Sequence, residues 1–411
     1  MSPDSSGGIK VRPVHDEPPL SFPADLTTTI ATMERVGHFL IVVWDGGGNV
    51  VPAAGLAAAL VDQGHDVRVI GSPALQTRFE RAGARFRPFQ RAQPPHMKEA
   101  GVSEDNQLGL TRFMSGRRLA EDVLEELSSE PTDVAVVDAF LSAGLAAAEK
   151  AGVPAVPLVH VLYAQTVEGP LAAQWDPTRP MVESTRRRLE VSELDPDIPL
   201  MAGLWSRCPI VLACAPQSFD FPADHLPSNA RYVGPILDAP MSSPWQPGGG
   251  RVLISFSTTA MRQDDVLQRS LDALADVDVA VECTLGGIPI EGLTAPPNAS
   301  ISDWIAHSEV LPRTDVVVTH AGLSTVMTAL AAGVPMVCMP MGRDQPLNAQ
   351  RVATLGLGIE LSPAASADAI RAAVEGVLAD ENFRLRATSM GEDIAAYGNG
   401  AVAVQELESL L

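Results

Sequence analysis

Apolar and polar positions along the chain fall into a repeating pattern. The run HFLIVVW at 38–44 is continuously apolar and of strand length, which suits a central strand of a parallel sheet covered on both faces. A Gly-rich turn, DGGGN, follows it. Next comes VVPAAGLAAALVDQG, with apolar residues at helical spacing and Gly64 closing the helix. HDVRVIG is the next strand, which completes one strand–helix–strand unit. The rhythm returns as TDVAVVDA, FLSAGLAAAEKAG and VPAVPLVHV. A second series runs RVLISFST (251–258), DVLQRSLDALAD, VDVAVECTLG, TDVVVTHAG, LSTVMTALAAG and VPMVCMP. This alternation predicts an α/β protein of two Rossmann-like, doubly wound domains facing across a cleft. Ligands of such sheets sit beyond the carboxyl ends of the strands, so residues just past a strand carry the most weight.

The expected organisation follows from breaks in the pattern. Residues 1–34 are polar, rich in Pro, Ser and Asp, and read as a mobile tail. Residues 35–237 form the first domain. The aperiodic stretch DAPMSSPWQPGGG (238–250) reads as a linker, 251–392 as the second domain, and 393–411 as a C-terminal helix that could pack back on the first. Two stretches, 93–118 and 168–200 (with ESTRRRLE), lack a clear period. They read as mobile elements over the cleft or as ordinary surface connections.

Composition narrows the partners. With 46% hydrophobic and 19% charged residues in 411, the chain is globular and long enough for two or three domains. Lys and Arg number 29 against 50 Asp and Glu, a net charge of -21. Such a field repels nucleic acid but leaves room for a small phosphorylated ligand held by backbone N–H groups. The four cysteines are scattered without a CxxC pair, which argues against a disulfide framework or zinc site and for a reducing cytoplasm. No apolar run reaches membrane-spanning length, and MSPDSSGGIK lacks the basic-then-apolar form of a signal peptide. The expectation is a cytoplasmic protein with no membrane partner. A homodimer is left open.

The strongest chemical signal is DWIAHSEVLPRTDVVVTHAGLSTVMTALAAGVPMVCMPMGRDQPLNAQRV at 303–352. Its THAG turn ends a strand and opens a helix. Gly322, Ser324 and Thr325 would offer N–H groups and hydroxyls at the helix start, a natural phosphate site. His320 could donate a hydrogen bond to a diphosphate oxygen. This region resembles the donor-binding signature of the GT-B-fold, family 1 inverting glycosyltransferases of natural-product type, and the resemblance covers nearly the whole chain after Arg35. It implies a sugar-nucleotide co-substrate, linked through TDP or UDP, and no other cofactor. By the same resemblance Trp304 stacks on the base, and the Ile305 backbone meets the base edge. His320, Gly322, Ser324 and Thr325 bind the diphosphate, as do Ser257 and Thr258 after the first strand of that domain. Asp344 and Gln345 bind sugar hydroxyls, and His307 is a nucleotide contact. No DxD-like metal pair follows a strand, which fits metal-free transfer in which the helix dipole and His320 stabilise the departing diphosphate.

Two departures from the family pattern bear on mechanism. Uridine-using members carry a Glu in the helix after HAG that holds the ribose; here Thr328 stands there, which favours a deoxythymidine donor. The family's GHxxP motif supplies the general base; here the stretch is GNVVP and Asn49 takes the His position. An amide accepts no proton at neutral pH. Asp138, ending its strand, is then the first candidate base. Asp45 is a second candidate, Asn49 would position the acceptor, and His160 would line the acceptor pocket or act as base itself. The expected reaction is inverting transfer of a sugar to a lipophilic secondary-metabolite acceptor. Alternatives are transfer to an aromatic carbon, a non-catalytic sugar-nucleotide-binding protein, and a sugar-nucleotide epimerase.

Overall fold

The computed structural model describes residues 35–95, 104–223, 226–237, 239, 246, 249–259, 261–288 and 290–411. The expected tail at 1–34, most of the linker and residues 96–103 lie outside this set. Two all-parallel sheets organise the rest. The first holds β1 (His38–Val43), β2 (Asp66–Gly71), β3 (Arg85–Pro88), β4 (Val134–Asp138), β5 (Ala155–Val159), β6 (Val211–Ala213) and β7 (Ala230–Tyr232). Their order is β3-β2-β1-β4-β5-β6-β7. The second holds β8 (Arg251–Ser255), β9 (Ala280–Thr284), β10 (Ala299–Ser302), β11 (Val316–Thr319), β12 (Met336–Cys338) and β13 (Gly358–Glu360), ordered β10-β9-β8-β11-β12-β13. This is the doubly wound architecture that the sequence pattern predicts.

Both sheets reverse their strand order beside the first strand, between β1 and β4 and between β8 and β11. These switch points open a crevice at the carboxyl ends. Asn49 follows β1 and Asp138 ends β4; Ser257 follows β8 and His320 follows β11. The central strands are buried on both faces: Phe39 to Val43 and Val134 to Val137 are all at most 1% exposed. That explains why their sequences are unbroken apolar runs.

The segment at 168–200 is largely helical, with helices Pro170–Trp175 and Arg179–Leu189. The Arg-rich helix buries one of its cations: Arg186 donates to Glu149 at 2.9 Å and to the Ser192 carbonyl. At the C-terminus, the helix Glu381–Ala395 packs on the helix Leu323–Ala331 of the second domain. The chain then turns at Gly398 and Gly400, and the last helix, Ala401–Glu408, lies against the helix Val50–Asp62 of the first. Ala403, Val404 and Leu407 share a core with Phe39, Ile41 and Leu56. Glu408 lies 3.0 Å from His65 Nε2, while His65 Nδ1 accepts from the Gly37 N–H. Among the described residues no helix is long and apolar enough to cross a membrane.

Leu407 is 0% exposed, so Leu407→Ala removes a buried isobutyl group and leaves a void that costs about 2–5 kcal/mol. The expected outcome is a lower melting temperature by calorimetry, with nucleotide affinity of the folded protein unchanged.

Candidate active site

The first half of the site is built around one carboxylate. Asp138 is 4% exposed at the end of β4. Its Oδ1 accepts from the Phe140 N–H at 3.1 Å, and its Oδ2 accepts from Asn49 Nδ2 at 2.7 Å. Asn49 also donates to the Trp44 carbonyl at 2.9 Å. Two acceptors on one side fix which end of the amide carries nitrogen, and Asn49 Oδ1 is left buried without a partner. Asn49 sits at the start of the helix Val50–Asp62 yet makes no side-chain cap, because its amide is spent on Asp138.

His160 follows β5, and β5 pairs with β4 so that Leu158 stands beside Asp138. The imidazole Nε2 reaches 3.3 Å from Asp138 Oδ2, an ion-pair distance, though its N–H direction misses a good hydrogen-bond line. Burial pulls the His160 imidazole down; the carboxylates of Asp138 and, from the second domain, Asp344 outweigh it and hold the group above the ordinary histidine value. Phe140 meets His160 edge-on at 5.3 Å and stacks on Trp175 at 4.3 Å, which makes an aromatic wall beside the carboxylate. Asp45 lies in the turn after β1. Its backbone N–H donates to Ser72 Oγ at 2.9 Å, bracing the turn after β1.

The second half of the site offers donors to an anion. The helix Leu323–Ala331 starts at Gly322 with no side-chain cap, so its first N–H groups are open to a ligand. Ser324 and Thr325 are half-buried on its first turn. A Cβ on Gly322 would stand 2.6 Å from His320 Nε2, so only glycine lets the His320 ring fold over the turn. Ala321 before it is left-handed, at φ 63. Burial, with Arg343 nearby, pushes His320 down to about 3, and burial pushes His307 down to about 4. Both rings are neutral near pH 7. His307 Nε2 and Ser255 Oγ lie 3.0 Å apart in a hydrogen bond. Ser257 is buried and braces its own loop through Thr259 Oγ1 at 2.8 Å and Gln263. Trp304 is 62% exposed, while the half-buried Ile305 packs against the core.

The two halves touch through the glycine turn. A Cβ on Gly47 would lie 3.2 Å from Thr258 Oγ1, and one on Gly48 would lie 3.6 Å from Ser324. Gly47 and Gly48 therefore let the first domain approach the Thr258 and Ser324 loops of the second without a side chain between them.

Asp344 and Gln345 behave differently from each other. Burial raises the Asp344 carboxyl even though Asn348 donates to it at 2.8 Å. Gln345 is 3% exposed and turned inward, accepting from the Met341 N–H and facing Met261 sulfur; it holds the loop rather than the cleft. Thr328 Oγ1 donates back to the Ser324 carbonyl at 2.7 Å. Two residues were missed in the sequence. Asn348 ties the HAG turn to the Asp344 loop by donating to the Ala321 carbonyl at 2.9 Å. Arg343, in a left-handed backbone at φ 58, brings its guanidinium near His320. Its place between Gly342 and Asp344 in the GRDQ run was the available signal.

Comparison with known proteins agrees with this geometry. The erythromycin biosynthesis protein CIII-like, C-terminal domain family matches residues 268–410. The chain is 28% identical to 4'-demethylrebeccamycin synthase of Lentzea aerocolonigenes, over 90% of this chain and 99% of that protein. It is 28% identical to demethyllactenocin mycarosyltransferase of Streptomyces fradiae, over 92% and 87%. The calicheamicin glycosyltransferase CalG4 superimposes with a TM-score of 0.75 at 27% identity, over 92% of this chain and 98% of that one. Two parallel-sheet domains whose switch points meet across a cleft are the GT-B fold, here in a sugar-transferring enzyme. The chain is similar to family 1 glycosyltransferases of the natural-product type.

Gly322→Ala drives a methyl into the His320 ring. The expected outcome is a nucleotide affinity at least about tenfold weaker, since misplacing one charge-assisted hydrogen bond costs about 1.5–3 kcal/mol. Titration calorimetry with TDP checks it.

Proposed function

We propose that this enzyme moves a sugar from a TDP- or UDP-linked donor, with TDP preferred, to a lipophilic secondary-metabolite acceptor, and inverts the anomeric carbon. The observation that carries the reading is the opposition of the two half-sites: an uncapped helix start with His320 on one side, the Asp138 cluster with its aromatic wall on the other. A nucleotide held by the first presents its anomeric carbon to the second, so attack comes from the face opposite the diphosphate. Trp304 stacks on the base. The helix N–H groups, Ser324, Thr325 and the neutral His320 hold the diphosphate, and Arg343 supplies positive charge as it departs. Asp344 holds sugar hydroxyls. The Phe140–Trp175 stack favours a flat, apolar acceptor. The preference for TDP rests on Thr328, whose hydroxyl is used inside its own helix and which puts no carboxylate near a ribose 2′-hydroxyl.

On the acceptor side, the reactivity of the nucleophile depends on the buried Asp138 carboxylate, which Asn49 keeps in place. The test is a transfer assay with TDP-glucose and a panel of aromatic alcohols, with the linkage read by NMR. A β-glycoside from the α-linked donor is expected; retained configuration overturns inversion. Absence of any product, with donor still bound, would leave a sugar-nucleotide-binding protein.

Two variants probe the halves separately. Trp304→Ala should weaken TDP binding by about 5- to 100-fold, the range for loss of one base–aromatic stack, measured by calorimetry. Asp138→Asn should lower turnover by about 10²–10⁴-fold with TDP affinity nearly unchanged. Near-normal turnover would remove Asp138 from the chemistry.

A further inference from the structure

We propose that the acceptor's proton goes to His160, with Asp138 as its positioning carboxylate, so that a His–Asp pair survives here with the histidine delivered by β5 instead of by the helix after β1. The inference rests on the transfer reading above and deepens it.

The geometry gives four reasons. First, Asn49 Nδ2 and His160 Nε2 approach the same oxygen, Asp138 Oδ2, at 2.7 and 3.3 Å. The carboxylate thus has a seat on either side, one taken by a group that cannot titrate and one by a group that can. Second, Asp138 itself is poorly placed to reach an acceptor. It is 4% exposed, and both oxygens are engaged by Phe140, Asn49 and His160. Third, His160 is the more open partner, with 17% of its side chain exposed against 3% for Asp138. Its Nε2 is buried against the carboxylate, which leaves Nδ1 as the nitrogen for the acceptor. Fourth, His160 stands where the half-sites meet. It touches the aromatic wall through Phe140, and the Asp344 carboxylate of the donor half acts on it.

The step balances. The acceptor X–H bond breaks, and its electron pair forms the bond to the anomeric carbon. The bond from that carbon to the diphosphate oxygen breaks, and its pair leaves with the diphosphate. The proton lands on Nδ1, and the imidazolium so formed is stabilised by Asp138 through Nε2–H. It is lost to solvent after product release.

The charged groups that face the imidazole are Asp138 and Asp344, and burial works against both. Because the net effect is upward and the base must be neutral, the rising limb of the pH–rate profile should lie above the ordinary histidine value of about 6.5.

The experiment measures transfer from TDP-glucose against pH for wild type, His160→Gln, Asp138→Asn and the double variant His160→Gln/Asn49→His. Two acceptors serve as probes: 4-nitrophenol, which is largely ionised near neutral pH, and a benzylic alcohol, which is not. For His160→Gln we expect kcat on the alcohol to fall about 10²–10⁴-fold, the rising limb to vanish, and TDP affinity to stay within about threefold. The loss should be much smaller on 4-nitrophenol, a difference that a merely structural role would not produce. Asn49→His should restore at least about tenfold and bring back the rising limb, since its imidazole takes the other seat on Asp138. If His160→Gln keeps the wild-type rate and pH profile while Asp138→Asn is inactive, the proposal falls and the transfer reading stands. If wild type transfers no sugar to either probe or to the wider acceptor panel, the reading beneath falls and takes the proposal with it.

Discussion

A negative charge kept out of water at the end of β4 is the constraint around which the acceptor side is arranged. An unpaired carboxylate in such a place costs several kcal/mol unless hydrogen bonds replace the lost solvent. Asp138 is compensated from three directions: hydrogen bonds from the Phe140 N–H of its own turn and from the Asn49 amide at the start of the next-door helix, and the His160 imidazole at ion-pair distance from the end of β5. Each of these comes from a different segment, and each has to be in register for the charge to be tolerated. The parallel order β1-β4-β5 supplies that register, because it brings three strand ends side by side. The demand also explains the choice of asparagine. Position 49 needs a donor toward Oδ2 and the Trp44 carbonyl at once, and an amide gives two N–H bonds without a proton equilibrium of its own.

The donor side solves the converse problem of holding an anion with few cations. His307 and His320 are both kept neutral by burial, so they orient and donate without adding charge. On the proposed reading the attraction comes from backbone N–H groups at Gly322–Thr325 and from Arg343. Arrangements of fixed dipoles suit a reaction in which negative charge grows on the leaving oxygen, since they need no reorganisation as it does so. The left-handed residues Ala321 and Arg343 lie on the two loops that flank this anion site, and Asn348 ties those loops together through the Ala321 carbonyl and Asp344. Strain of about 1–3 kcal/mol per such residue persists where the surroundings over-determine the backbone.

What could be read in the sequence follows the same physics. β1, β4, β8 and β11 were legible because central parallel strands must be apolar on both faces. The edge strands β3, β7, β10 and β13 and the short β6 beside one edge were not, being three or four residues long, and β3 alternates between exposed and half-buried positions. The strand-end residues His320, Gly322 and Asp138 were legible from the rule that chemistry lies past the carboxyl ends. Their partnerships were not. Asn49 and Asp138 are 89 positions apart, and nothing in either local run states that β4 lies next to β1. The inward turn of Gln345 was hidden for another reason: a single amide looks the same in sequence whether it serves a sugar or the Met341 N–H.

The net charge of -21 gives this division of labour its last consequence. Beyond the screening length of about 8 Å at physiological salt that field is largely screened, and nearer the surface it opposes a sugar nucleotide. Binding must then come from contacts shorter than that length, which on the proposed reading are those at the turn His320–Thr325, at Arg343 and at the Trp304 face. The neutral, apolar acceptor proposed above would feel no such field and would partition into the aromatic wall at Phe140 and Trp175 by loss of water contact alone. On that reading the two substrates are recognised by different physics in different domains, and those domains come within van der Waals reach at the side-chain-free positions Gly47 and Gly48. A bulky residue at Gly47 or Gly48 would press on Thr258 or Ser324 and hold the two half-sites apart.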